Sequence, residues 1–148
     1  MAIMDAKLEF SDAQGPMTAA AAASELGTNE FVMGTVKDAW GTTITNDIGE
    51  GNNGLVVNFQ VVTAASSATD MVCKVYTHTA SVTSAGTSIG STTFLASAAQ
   101  IAGTKRQVRI PAGTTNKWIG ITYSAVSSSL SDLVMDAWLG LDTETPST

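Results

Sequence analysis

Few residues in this chain have the types and spacing that chemistry would need. Gly49-x-Gly51-x-x-Gly54 matches the glycine spacing that, in dinucleotide-binding folds, brings a phosphate onto a helix N-terminus. The next residues, Leu55-Val56-Val57-Asn58-Phe59-Gln60-Val61-Val62, alternate like a strand. In that setting the glycines serve a hairpin turn that needs positive φ, and the phosphate reading lacks its helix. His78 and Cys73 are the sole histidine and cysteine. A structural zinc site wants four such ligands, and two side chains five residues apart on one strand point to opposite faces. Cys73 therefore reads as a small core residue. Ser-His-Asp hydrolysis needs a nucleophile on a strained turn, and no Gly-x-Ser-x-Gly occurs. The pairs Asp132/Asp136 and Asp47/Glu50 could do acid–base work or bind Ca²⁺, but solvated loop acids explain them equally, and no EF-hand spacing is present. No catalytic, cofactor or metal site is expected.

The elements that would position such residues are strands. From Thr42 onward the apolar residues recur at every second position. Thr43 to Ile48, Leu55 to Thr63 and Met71 to His78 are expected strands, followed by a segment around Ser91-Thr-Thr-Phe-Leu95. Gln107 to Ile110, Trp118 to Ala125 and Leu133 to Leu141 complete the set. The alternation points Val57, Phe59 and Val61 inward, with Asn58 and Gln60 on a wet face. Met71, Cys73 and Val75 point inward against Lys74, Tyr76 and His78. Val108 and Ile110, then Ile119, Ile121 and Tyr123, then Met135, Ala137 and Leu139 complete the inner set. Ahead of these, Lys7 to Ser11 reads as a short strand with Leu8 and Phe10 on one side. The stretch from Ala19 to Leu26 is alanine-rich and undecided between helix and coil, and 28–40 has apolar residues without a period. Seven or eight short strands with polar turns and no βαβ rhythm predict an all-β protein, a jelly-roll-like antiparallel β-sandwich with an extended N-terminal arm. The expected division is an arm and irregular segment over 1–43, a sandwich over 44–142 and a tail over 143–148.

The chain has 148 residues, which suits one domain, and 14% of them are charged, well below the usual quarter. Its net charge of −6 argues against nucleic-acid binding, which needs clustered Lys and Arg to displace phosphate counterions. Only Lys105, Arg106 and Arg109 lie close together, and they read as a solvated strand edge. One cysteine allows no internal disulfide. The opening residues have no basic n-region, and no window approaches the ~20 apolar residues of a membrane span. These features predict a product of the cytoplasm. Trp138, on the opposite face of the last strand from its inward residues, is read either as covered by the folded-back arm or as a subunit contact.

Three stretches together resemble the Bbp16-like capsid cement proteins of tailed bacteriophages. The opening Asp5-Ala6-Lys7-Leu8-Glu9-Phe10-Ser11-Asp12-Ala13-Gln14 is similar to the family's start, and Asp47-Ile48-Gly49 to its Asp-hydrophobic-Gly turn. Ile110-Pro111-Ala-Gly, Lys117 to Tyr123 and Val134 to Asp142 are similar to its closing strands; the segment 28–43 departs from the pattern. The resemblance implies a jelly-roll decoration protein on the outer surface of a phage head, made in the bacterial cytoplasm. It would bridge and stabilise copies of the major capsid protein. It also implies a homo-oligomer, a dimer ahead of a trimer. Ile3, Met4, Leu8, Phe10 and Trp138 are the expected contact residues, with residues 1–14 adding a strand to a neighbouring subunit. The runner-up is a β-sandwich adhesin or carbohydrate-binding module. Against it, only 6% of residues are aromatic, and Trp40, Trp118 and Trp138 lie far apart in sequence.

Overall fold

A computed structural model describes residues 8–15, 24–32, 36–37, 39–44, 54–65, 69–80, 86–96, 100–114, 116–127, 130 and 132–141. Among these the structure is all β, and no α-helix forms. The strands are β1 (Glu9–Gln14), β2 (Glu25–Leu26), β3 (Phe31–Val32), β4 (Val36–Lys37), β5 (Thr43–Ile44), β6 (Leu55–Thr63), β7 (Met71–His78), β8 (Thr87–Phe94), β9 (Lys105–Arg109), β10 (Trp118–Ala125) and β11 (Val134–Leu141).

Two antiparallel sheets carry the fold. The first has the order β1-β11-β6-β9; the second runs β2-β10-β7-β8, with β3 also pairing β10. β4 and β5 form a separate two-stranded ribbon. If β2 and β3 are counted as one position and the ribbon is set aside, the order is 1-8-3-6 in one sheet and 2-7-4-5 in the other. That is the double Greek key of a jelly roll, in agreement with the sequence-based expectation.

Period-2 patterning builds the core. Val57, Phe59 and Val61 of β6, Met135, Ala137 and Leu139 of β11, and Val108 of β9 point off one sheet. Met71, Cys73 and Val75 of β7, Ile119, Ile121, Tyr123 and Ala125 of β10, and Phe94 of β8 point off the other, and all of these are buried in one cluster. Phe59 and Tyr123 meet edge-on across the seam, with ring centroids 6.1 Å apart and planes at 82°. Gly90 of β8 faces Val108 so closely that a Cβ there would lie 2.5 Å from the Val108 Cγ1. From Val57 to Leu139 the inward faces expected from alternation are as read.

The first strand departs from expectation. β1 pairs with β11 of the same chain, through Glu9↔Trp138, Ser11↔Ala137 and Gln14↔Met135, with register shifts between them. The shifts break the alternation, so adjacent Phe10 and Ser11 are both buried, while Leu8 is exposed. Ser11 Oγ and the Tyr123 hydroxyl lie 2.6 Å apart inside the core, a buried hydrogen bond from one sheet to the other. Residues 25–29 stitch the same side: Asn29 N–H donates to the Phe10 carbonyl, Gly27 N–H to the Ile121 carbonyl, and Gln14 Nε2 to the Leu26 carbonyl. A Cβ on Gly27 would lie 2.5 Å from Ile121 Cγ1, so only glycine allows that approach. The division into an arm over 1–43 and a sandwich over 44–142 is therefore corrected: the sandwich begins at β1. Residues 1–7 and 142–148 lie outside the described residues.

The second sheet's outer face also differs. Tyr76 points away from the core as expected, yet it is 2% exposed, its ring packed over Gly120 of β10, where a Cβ would lie 2.4 Å from Tyr76 Cζ. Its hydroxyl donates to Glu30 Oε1 at 3.4 Å, and burial, then the Glu30 charge, raises its pKa above the ordinary phenol value. Strand β8 begins at Thr87, earlier than the alternation suggested, and the expected strand over Thr43 to Ile48 is described only for Thr43–Ile44.

Replacing Ser11 by Ala strands the Tyr123 hydroxyl inside the core, which should cost about 1–3 kcal/mol. Thermal unfolding of S11A, Y123F and the double variant should show S11A destabilised, with the double variant losing less than the two singles summed.

Candidate functional site

The outward face of the first sheet holds the most organised set of polar and aromatic side chains among the described residues. Its geometry follows from register. Glu9, Trp138, Asn58 and Gln107 lie side by side across β1, β11, β6 and β9. Asp136, Gln60 and Lys105 form the next rank, and Gly140, Val56 and Arg109 the rank on the other side. Gln107 Nε2 donates to Asn58 Oδ1 at 2.8 Å, and the Asn58 amide lies over Gly140, where a Cβ would stand 2.8 Å from Asn58 Nδ2. That packing leaves Asn58 8% exposed, so the position expected to be wet is held in place. Lys105 reaches across β6 to put its Nζ 5.4 Å from the centroid of the Trp138 ring, a cation–π contact on a half-buried indole.

The β1 end of this face is acidic. Asp136 Oδ1 accepts the Ala13 N–H at 2.5 Å, and Ala13 has a φ of 44°, so the carboxylate holds the irregular end of β1 in a conformation that L residues seldom adopt. Glu9 sits beside Asp12 and Asp136. Desolvation, then repulsion from Asp12 and Asp136, raises its pKa above the ordinary carboxylate value. The β9 end is basic, with Lys105, Arg106 and Arg109 exposed on the edge strand, as the sequence suggested. Arg106 turns inward at that edge, its guanidinium carbon 5.6 Å from the Phe94 ring centroid.

Of the residues expected at a subunit contact, Trp138 lies at the centre of this face. Leu8, just ahead of β1, is 37% exposed. Phe10 belongs to the chain's own core at 1% exposed, which removes it from any contact surface. Ile3 and Met4 lie outside the described residues. The proposed trans addition of residues 1–14 is replaced, over 9–14, by pairing in cis with β11. Sequence marked Asn58 only as a wet-face residue and Lys105 only as part of a solvated edge, and did not bring them together with Gln107, because their meeting depends on β6 pairing with both β11 and β9. The only signal available was their common outward phase.

The residues first considered for chemistry are scattered. Leu55–Thr63 is a strand, so Gly54 precedes no helix; the other two glycines of that motif lie outside the described residues. Cys73 is buried, its thiol pKa raised by desolvation, while His78 is on the other face of β7 with its Nδ1 engaged by the Ala80 backbone. Among the described residues no three His, Cys, Asp or Glu side chains come together as a metal would require, and no helix is long and apolar enough to cross a membrane. Comparison with known proteins matches the chain to no family model and to no curated protein.

A raised Glu9 pKa means that the folded state binds the proton more tightly than the unfolded chain. Its charged form therefore costs stability, and that cost appears as pH rises through the folded pKa. Glu9→Gln should raise the melting temperature at pH 7 and have no such effect below the ordinary carboxylate pKa. Melting curves across about pH 3.5–7.5 check the sign.

Proposed function

We propose that this chain is a structural assembly protein, an external cement that bridges and stabilises copies of the major capsid protein on a tailed-phage head. The observation that carries the reading is the face centred on Trp138: a half-buried indole with Lys105 over its ring, next to the Asn58–Gln107 amide pair, flanked by acidic and basic edges. Protein interfaces are built this way, with an aromatic anchor held rigid and a polar, charged rim around it. Rigid placement lowers the ordering cost of binding. Many such sites on a shell then add up to tight decoration from individually weak contacts. The jelly-roll order supports the same reading, because it agrees with the resemblance in the opening and closing strands. The net charge of −6 suits the outside of a head better than contact with packaged DNA.

Glycan binding by the same face is the second reading, favoured by the amide pair next to Trp138. It ranks lower because that indole already carries Lys105 on its ring, where a sugar would stack.

Heads lacking the chain should rupture at lower temperature than heads to which it has been added back. Trp138→Ala and Lys105→Glu, both outward-facing changes, should remove most of that protection while leaving the soluble chain folded. Protection by both variants equal to wild type would move the contact elsewhere, and no protection by wild type would end the cement reading.

A further inference from the structure

One flank of the sandwich is closed by two short segments that are less firmly built than the strands behind them. Residues 9–14 form β1, which pairs β11 in the first sheet; residues 24–29 carry β2, which pairs β10 in the second. β10 and β7 pair through eight successive residues without a break. By contrast, β1 meets β11 at Glu9, Ser11 and Gln14 with a register shift between each, and β2 is two residues long. Of the side chains on 9–14 only Phe10 and Ser11 are buried, and none on 24–29 is. Irregular pairing and few buried contacts mark the low end of local stability. Yet the two segments hold each other. The Phe10 carbonyl accepts the Asn29 N–H at 2.9 Å. The Gln14 amide is used twice, its Nε2 donating to the Leu26 carbonyl at 2.7 Å and its Oε1 accepting from the Thr28 hydroxyl at 3.4 Å. On the β11 side, Asp136 Oδ1 accepts the Ala13 N–H at 2.5 Å and holds Ala13 at a φ of 44°, a conformation that disfavours a side chain.

We infer that 9–14 and 24–29 are one strap, which opens and closes as a unit while the strands behind it stay paired, with Asp136 as its clasp. The shared bonds make the opening cooperative. Lifting β1 takes the Asn29, Leu26 and Thr28 partners away from the second segment. Its backbone is then left with a two-residue pairing to β10 and the Gly27 N–H bond to the Ile121 carbonyl, and so short a pairing is marginal by itself. The ladders β11-β6-β9 and β10-β7-β8 do not run through the strap, so they persist when it lifts. Opening withdraws Phe10 from the core and Ser11 from the Tyr123 hydroxyl, and it bares the sides of β11 and β10 that the strap covers. The strap is thus a gate on the seam between the sheets. The device belongs to the chain alone, so it stands or falls independently of any shell.

Native-state hydrogen exchange on the purified full chain, repeated in low concentrations of denaturant, tests this. The hydrogen-bonded amides of 9–14 should share one protection factor with those of Gly27 and Asn29. That factor should lie about tenfold or more below those of β6, β7 and β10 and respond more weakly to denaturant. Asp136→Ala should speed exchange about threefold or more at Ala13 and by the same factor at Gly27 and Asn29, whose own bonds go to Ile121 and Phe10. Asp136→Asn, which keeps the acceptor, should not. Ala13→Gly, which relieves the positive φ, should slow exchange at Gly27 and Asn29. Exchange at Gly27 and Asn29 that ignores both Asp136→Ala and Ala13→Gly would show two independent segments and overturn the inference. The wild-type chain alone supplies a second check, because strap amides that match the core strands in protection and denaturant dependence would also overturn it.

Discussion

Pairing of the first strand with the last is the constraint on which the rest of this fold depends. β11 lies between β1 and β6, so the first sheet is complete only when Glu9–Gln14 returns to it. That return puts Phe10 into the core and Ser11 in contact with the Tyr123 hydroxyl, the buried polar link between the sheets. Desolvation raises the Tyr123 pKa well above the ordinary phenol value, so that hydroxyl stays a neutral partner for Ser11. Residues 25–29 then bind β1 to β10 through the Phe10 and Ile121 carbonyls, closing one flank of the sandwich. A nonlocal pairing of this kind couples residues near opposite ends of the chain.

The inner faces of β6, β7, β10 and β11 were legible because alternation is local: each strand states its own buried side. What was not legible depended on partners. Lys7 to Ser11 reads as a strand, but nothing in those residues says which chain or strand it joins, and the register shifts that bury both Phe10 and Ser11 break the pattern that alternation follows. Asn58 looked wet from its phase, yet Gln107 and the absence of a side chain at Gly140 close over it. Tyr76 looked exposed for the same reason, until Gly120 gave its ring a surface to lie on. In both cases a glycine on the neighbouring strand decides the outcome, and that neighbour is set by topology. The two-residue strands between 25 and 44 are too short to carry any period at all.

The same topology divides the surface into different kinds of boundary. Charge is gathered at the two edges of the first sheet, acid at β1 and base at β9, with Trp138 and its amide neighbours between them. The second sheet ends at an uncharged strand. The proposed cement role asks for one contact to a shell, and the Trp138 face is the surface offered for it.

Co-sedimentation of the purified chain with expanded heads lacking it, repeated with unexpanded shells, tests the central proposal most directly. Saturable binding to expanded heads, in fixed proportion to the major capsid protein and absent from unexpanded shells, is the expected result. Failure to bind either particle would contradict it.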